Sequence, residues 1–201
     1  QTAPTGYYLS QEMTGYSDKP VQKITQYAAQ SSPQPVPTGE LDAITRQRAL
    51  AFPPGFNKRT QALAKQWRAE AADDQAYIER ILEWIRADFS YTLATELPGI
   101  NAVDDFLFTD RKGFCQHFSS SFALLMRAAG IPSRVVTGYA GGYKNPYGDY
   151  WVLYRKDAHA WNEVWLEDEG WVRIDPTSAV APENILDTLE SAAGTESYFG
   201  E

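Results

Sequence analysis

The one cysteine of this 201-residue chain, Cys115, lies in the run Gly113-Phe114-Cys115-Gln116-His117-Phe118, where a glycine precedes a stretch with helical apolar spacing. A thiol in the first turn of a helix lies near free backbone N–H groups and the positive end of the helix dipole. Both favour the thiolate and lower the pKa of the thiol. The sequence therefore predicts a nucleophilic cysteine.

Two further residues supply what a cysteine nucleophile needs. His159 lies in Asp157-Ala158-His159-Ala160-Trp161, and Asp175 ends the run Trp171-Val172-Arg173-Ile174-Asp175. A histidine base and a carboxylate that orients it complete the three roles of acyl transfer. Attack on an amide carbonyl produces an oxyanion, for which the Cys115 backbone N–H is the natural first donor. The sequence leaves the second donor unassigned.

Strand alternation tests whether His159 and Asp175 can meet. If their two predicted strands form a hairpin, the residues share a face only when the turn has an odd number of residues. A three-residue turn pairs Leu166 with Gly170 and Trp161 with Asp175, which places Asp175 diagonal to His159. A four-residue turn separates them unless a bulge intervenes. The glycine at the end of the turn favours three residues.

The elements that must position these residues follow a simple order, with helices first and strands afterward. This order predicts an α+β domain in which the nucleophile helix packs on an antiparallel β-sheet. The predicted helices are 57–71, one capped by Asp73 or Asp74 that runs to Phe89, and 115–129, and the predicted strands are 134–139, 150–154, 158–166 and 171–175.

Composition predicts two parts. Residues 1–40 are rich in Gln, Ser, Thr, Pro and Tyr, and we expect an N-terminal arm packed on the domain that 41–201 form. Residues 31–37 can be neither a helix nor a central strand. The tyrosines of the arm argue against plain disorder.

Charge and hydropathy exclude several partner classes. The net charge is −8 and no basic cluster occurs, which argues against nucleic acid and against an anionic membrane surface. No apolar run approaches the roughly 20 residues that span a bilayer, so the chain as given is expected to be soluble. It begins with Gln1 rather than methionine, which suggests a processed product or a piece of a longer protein.

No metal or cofactor is predicted. Cys115, His117 and His159 are ligand types for zinc, yet no Cys-x-x-Cys or paired histidine spacing supports such a site. The acidic turn 167–169 lacks the alternating oxygen ligands of a calcium loop. His117, two positions after Cys115 in the same helix, is interpreted as structural.

Aromatic residues around the predicted site are candidate substrate contacts. Trp161 lies two residues from His159 and shares its face, where an indole wall excludes water from a thioester. Tyr139 and Tyr143 lie in the glycine-rich run 138–148, which is typical of a mobile hairpin connection and suits a lid. Trp151, in the predicted strand 150–154, is a further candidate contact.

These motifs resemble the transglutaminase-like superfamily of papain-type folds and, within it, the bacterial membrane-anchored transglutaminases of the TgpA type. The resemblance rests on Gly113-Phe114-Cys115, on the run from Ala129 to Tyr139, on Ala158-His159-Ala160-Trp161 and on Asp175-Pro176-Thr177. Weaker similarity extends upstream to Ala51-Phe52-Pro53-Pro54. The three motifs that carry Cys115, His159 and Asp175, in this order and with compatible spacing, are specific.

The resemblance implies Cys115 as nucleophile, His159 as base and Asp175 as orienter in a papain-like fold. It also implies a periplasmic domain of an inner-membrane protein, flanked by membrane helices in the full-length protein. One departure concerns the oxyanion hole, because papain-like proteases carry a glutamine six residues before the cysteine, where this chain has Thr109. Trp84 does not align with the tryptophan that animal transglutaminases use.

Three functions remain open from the sequence. The first is a protein-glutamine γ-glutamyltransferase, in which a glutamine donor forms a thioester with Cys115 and an amine acceptor resolves it. The second is a papain-like protease or amidase acting on peptide or cell-wall amides, in which water replaces the amine. The third is a non-enzymatic binding scaffold, against which the complete set of Cys115, His159 and Asp175 argues.

Overall fold

The computed structural model describes residues 6–9, 15–23, 26, 40–95 and 97–181. The chain divides into two units, Gln1–Pro37 and Thr38–Glu201. In the first, β1 (Tyr7–Leu9) pairs with β2 (Gly15–Ser17) as an antiparallel hairpin, in which the rings of Tyr8 and Tyr16 stack. Residues 1–5, 10–14, 24–25 and 27–39 of the predicted arm lie outside the described residues, so the packing of the arm on the domain stays a prediction.

The second unit begins with helices. These are α1 (Ala43–Leu50), α2 (Lys58–Glu70) and α3 (Asp74–Asp88), followed by β3 (Ser90–Tyr91), α4 (Ala102–Asp105) and a π-helical turn at Phe106–Asp110. Asp73 caps α3 by accepting from the Ala76 N–H at 2.7 Å, as predicted. Helix α1 was not predicted, because its eight residues bury only Ala49 and so give little apolar periodicity.

Helices α2 and α4 cap each other. The buried Asp104 carboxylate accepts from the Arg59 and Thr60 N–H groups at 3.1 and 2.8 Å, while the Asn57 side chain accepts from the Asp104 N–H at 3.2 Å. Each helix start thus gains an acceptor from the other segment. This contact fixes the segment that leads to the cysteine.

The helix that begins with Cys115 and its sheet follow. After β4 (Lys112–Gly113), α5 spans Cys115–Ala128, β5 spans Ser133–Tyr139, β8 spans Ala158–Leu166 and β9 spans Gly170–Ile174. Two short strands between β5 and β8, β6 (Tyr143–Lys144) and β7 (Trp151–Val152), form a separate hairpin. The predicted strand 150–154 is shorter than expected, because only Trp151 and Val152 pair with β6. The flanking Tyr150, Leu153 and Tyr154 are exposed.

The three-stranded sheet has the order β5-β8-β9 and is antiparallel. Leu166 pairs with Gly170 across a three-residue turn, as the parity argument required. Asp168 and Gly170 take the positive φ values of 71° and 80° that close such a turn.

Helix α5 packs on one face of this sheet. Ala160, Asn162 and Val164 of β8 are buried on that face, and alternation puts His159 and Trp161 on the other. The core joins residues of α3, α5, the π-helical turn and β8, namely Tyr77, Ile78, Ile81, Ile85, Phe106, Leu107, Phe118, Phe122, Leu125, Met126, Val164 and Leu166. The predicted α+β architecture, with the nucleophile helix on an antiparallel sheet, is confirmed.

Candidate active site

Cys115 is the first residue of α5, so its N–H has no acceptor within the helix. The helix start is organised by His117, whose Nδ1 accepts from the Phe114 N–H at 3.4 Å. Gly113 makes room for this ring, since a Cβ there would lie 2.8 Å from the His117 ring. The structure thus gives His117 a role at the helix start.

His159 lies next to the first residue of β8 and is held by Asp175. Its Nε2 lies 2.7 Å from Asp175 Oδ2, and the two side chains are only 9% and 10% exposed. Asp175 follows β9 directly, and its second oxygen accepts from the Thr177 N–H at 3.2 Å. Because Nε2 faces the carboxylate, Nδ1 is the nitrogen that remains for the sulfur.

The sulfur of Cys115 is partly exposed and interacts with three groups. These are the His159 ring and the backbone N–H groups of Ala160 and Gln116, each of which favours the charged form of the thiol. Burial raises the pKa of the thiol, but the His159 hydrogen bond, the Ala160 N–H and the positive ring together outweigh it, so the pKa is lowered. These contacts favour the thiolate.

The imidazole shows the complementary shift. Burial lowers the pKa of His159, but hydrogen bonds to Asp175 and Cys115 and the negative charges of both raise it to about 9. A lowered thiol pKa beside a raised imidazole pKa describes an ion pair, and the two groups titrate as a unit. The arrangement is able to attack a carbonyl carbon and to return a proton to a leaving amine.

An aromatic and cationic layer covers the His159–Asp175 hydrogen bond. The Trp161 indole stacks near the His159 ring at 6.2 Å, and the Arg173 guanidinium lies 4.4 Å from the indole centroid. Arg173 Nη2 is also 3.8 Å from Asp175 Oδ2. Gly138 pairs with His159 and leaves space for the indole, since a Cβ there would lie 2.8 Å from Trp161 Cη2.

The other predicted contact residues lie at the last residue of β5 and on the connection from β5 to β8. Tyr139, Tyr143 and Trp151 are 54%, 49% and 45% exposed. Tyr139 pairs with Ala158, so this connection leaves the sheet at the end where His159 lies. Of the four predicted contacts, only Trp161 packs against the His159 ring.

Sequence reasoning missed Arg173, Gly138 and Ser119. Arg173 is two residues before Asp175 on β9, so alternation alone would have placed it on the same face. Ser119 is one helical turn after Cys115, where its hydroxyl donates to the Ala160 carbonyl at 2.8 Å. Gly138 could be identified only from the strand register, which pairs it with His159.

Metal sites and membrane spans were also sought in the part of the chain that the structure describes. There, no three His, Cys, Asp or Glu side chains come together as a metal site requires. Within the same ranges, no helix has the length and apolar character needed to cross a bilayer.

Comparison with known proteins gives consistent matches. The model of the transglutaminase-like superfamily matches residues 61–176, which include Cys115, His159 and Asp175. A protein-glutamine gamma-glutamyltransferase of Pseudomonas aeruginosa is 41% identical over 203 residues, which cover 100% of this chain and 30% of that protein. The chain therefore spans less than a third of this curated relative.

Solved structures agree with this match. The periplasmic domain of TgpA from Pseudomonas aeruginosa is 46% identical with a TM-score of 0.71, covering 75% of this chain and 52% of that one. A putative cysteine protease from Cytophaga hutchinsonii is 26% identical with a TM-score of 0.52, covering 73% of this chain and 46% of that one.

Proposed function

This chain belongs to the transglutaminase-like superfamily, and from that premise and the geometry of Cys115, His159 and Asp175 we propose that it transfers the γ-glutamyl group of a protein-bound glutamine to an amine. The family and the papain-like fold predicted from the three motifs are confirmed. The observation that carries the proposal is the short contact of 2.7 Å between His159 Nε2 and Asp175 Oδ2, beside a sulfur at a helix start.

Cys115 acts as the nucleophile. Its thiolate attacks the glutamine carboxamide carbon, and the carbon–nitrogen bond breaks as His159 gives its proton to the departing ammonia. The resulting thioester is then attacked by an amine, which loses a proton to His159 and forms an isopeptide bond as the carbon–sulfur bond breaks and Cys115 leaves as the thiolate. Asp175 holds the ring with Nδ1 towards the sulfur and stabilises its positive charge.

Trp161, Trp151, Tyr139 and Tyr143 form the proposed substrate contacts. Trp161 with Arg173 shields the His159–Asp175 hydrogen bond from water. The three exposed aromatic side chains lie at the last residue of β5 and on the connection that leaves the sheet there, at the His159 end. Exposed aromatic side chains bury a large apolar area when a peptide covers them, which favours binding of a glutamine-donor or amine-acceptor peptide here.

The location follows the resemblance to the periplasmic domain of TgpA. We propose that this chain lies in the periplasm, as one domain of an inner-membrane protein that has flanking membrane helices. The proposed reaction uses side chains of this chain and its two substrates, so it requires neither a nucleic acid nor a cofactor.

A hydrolase is the second candidate, because one structural neighbour is described as a putative cysteine protease. The two reactions share the thioester and differ in whether water or an amine resolves it. The test incubates the chain with a fluorescent primary amine and a glutamine-rich protein whose lysines are methylated, and measures label and released ammonia. Label incorporation that Cys115→Ala abolishes supports the transferase, and ammonia or peptide release without label supports the hydrolase.

A further inference from the structure

The proposed reaction needs a second hydrogen bond to the oxyanion. One donor is the Cys115 N–H, which the helix leaves without an acceptor. Two residues considered from the sequence do not supply the other. Thr109 is exposed in the π-helical turn, and the Trp84 Nε1–H already donates to Asp88 Oδ2 at 3.1 Å.

Strand pairing brings Tyr91 to the nucleophile. β3 and β4 are parallel, with Tyr91 opposite Gly113, and the Thr92 N–H donates to the Gly113 carbonyl at 2.8 Å. Gly113 lies two residues before Cys115. Paired residues share a face of the ladder, and the His117 ring lies on that side of Gly113. The Tyr91 side chain is thereby directed towards the first turn of α5.

The Tyr91 hydroxyl is available as a donor. The side chain is half-buried, and within the described ranges its hydroxyl has no hydrogen-bond partner. Burial raises the pKa of the phenol, and the negative charge of Cys115 raises it further. The phenol therefore keeps its proton near neutral pH and lies within the electrostatic reach of the sulfur.

We propose that Tyr91 is a catalytic residue whose phenol O–H is the second donor to the oxyanion, beside the Cys115 N–H. Cys115 Sγ forms a bond to the carbonyl carbon, and the π electron pair moves to the oxygen. The Tyr91 O–H and the Cys115 backbone N–H then each donate a hydrogen bond to that oxygen, and neither group gives up its proton. The pair returns to the carbonyl as the carbon–nitrogen bond breaks, and ammonia leaves with the proton from His159. This assignment rests on the proposed acyl transfer.

The test separates oxyanion stabilisation from thiolate activation. Tyr91→Phe keeps the ring and removes the hydroxyl, and acylation is followed as the burst of nitrophenolate from a nitrophenyl ester. Alkylation by iodoacetamide also uses the thiolate but forms no oxyanion, so it reports the state of the sulfur alone. Tyr16→Phe, at an exposed position of the N-terminal hairpin, is the matched control.

We expect Tyr91→Phe to slow acylation by about 10²–10³-fold, with the alkylation rate unchanged and Tyr16→Phe equal to wild type. The assignment would be overturned if Tyr91→Phe slowed acylation and alkylation equally, or if it left acylation unchanged. It would also be overturned if the ester acylated wild-type Cys115 no faster than a small free thiol. Wild type that is acylated but neither incorporates amine nor releases ammonia would instead contradict the proposed function, and the Tyr91 result would stand.

Discussion

Ser119 donates its hydroxyl to the backbone carbonyl of Ala160 at 2.8 Å, which joins the helix that begins with Cys115 to the strand that carries His159. The Asn162 side chain reinforces this contact by donating to the Ser119 carbonyl at 3.0 Å. All three residues are buried. These two hydrogen bonds thus fix the helix of Cys115 against the strand of His159 one helical turn after Cys115.

Ser119→Ala should therefore weaken both the fold and the alignment of the site. Loss of a buried hydrogen bond costs about 1–2 kcal/mol, measured as the free energy of unfolding in urea. Acylation should slow as well, because α5 loses a contact that positions the sulfur. Ser120→Ala is the matched control, since Ser120 is exposed. Equal stability of the two variants would contradict this role of Ser119.

Asp175→Asn should reduce kcat far more than it raises KM. An amide keeps the size of the side chain but gives up the charge that stabilises the imidazolium, and in a serine triad the corresponding loss is about 10⁴-fold. Steady-state kinetics of amine incorporation measure it. Asp168→Asn, in the exposed turn after β8, should match wild type because asparagine tolerates its positive φ of 71°. A fall confined to KM would argue against Asp175 as the orienter.

Gly138→Ala should displace the Trp161 indole, because the new methyl group would lie 2.8 Å from Cη2. Indole fluorescence should change and acylation should slow as water reaches the His159–Asp175 hydrogen bond. Gly15→Ala adds a methyl group that meets nothing within 4 Å and serves as the control. If Gly138→Ala acylates at the wild-type rate, the indole does not contribute to the site.

Stability should depend on pH in a way that Cys115 conceals. In Cys115→Ser the His159–Asp175 pair remains, and the hydrogen bond that His159 donates to Asp175 raises the pKa of His159 above its unfolded value of about 6.5. This contribution is fully present below about pH 6.5 and is lost as the pH rises through the folded pKa. In wild type, where Cys115 also raises it, the pKa of His159 is about 9. Cys115→Ser should therefore lose this stability between about pH 6.5 and pH 9.

Wild type should lose less stability than Cys115→Ser over this range. Folding lowers the pKa of the Cys115 thiol while it raises the pKa of His159, and a thiol pKa lowered by folding adds stability as the pH rises, which offsets the loss from His159. Urea unfolding of Cys115→Ser and of Cys115→Ser/His159→Gln at several pH values measures the difference. A constant difference between these two variants would contradict the raised pKa.

Local sequence signals predicted much of the site. Glycine before Cys115 and Gly130 after the helix marked the bounds of α5, and Gly130 has the positive φ of 84° that ends such a helix. The parity of the β8–β9 turn predicted that His159 and Asp175 share a face. These features depend on a few neighbouring residues, so their periodicity or turn chemistry is visible in the sequence.

Other features depend on contacts between distant segments. Strands β3 and β4 have two residues each, too few to show alternation, yet their pairing places Tyr91 opposite Gly113, two residues before Cys115. The capping of α2 by Asp104 joins residues 44 positions apart and leaves no local pattern. Such contacts emerge only when the helices have packed.

The central claim is that a thiolate–imidazolium pair exists in the free protein. The most direct measurement is the rate of Cys115 alkylation by iodoacetamide against pH, in wild type and in His159→Gln, read by mass because the chain has a single cysteine. We predict that wild type stays reactive well below the ordinary thiol pKa of 9.0 and that His159→Gln loses this reactivity. A single titration near 9.0 that is identical in both proteins would contradict the account.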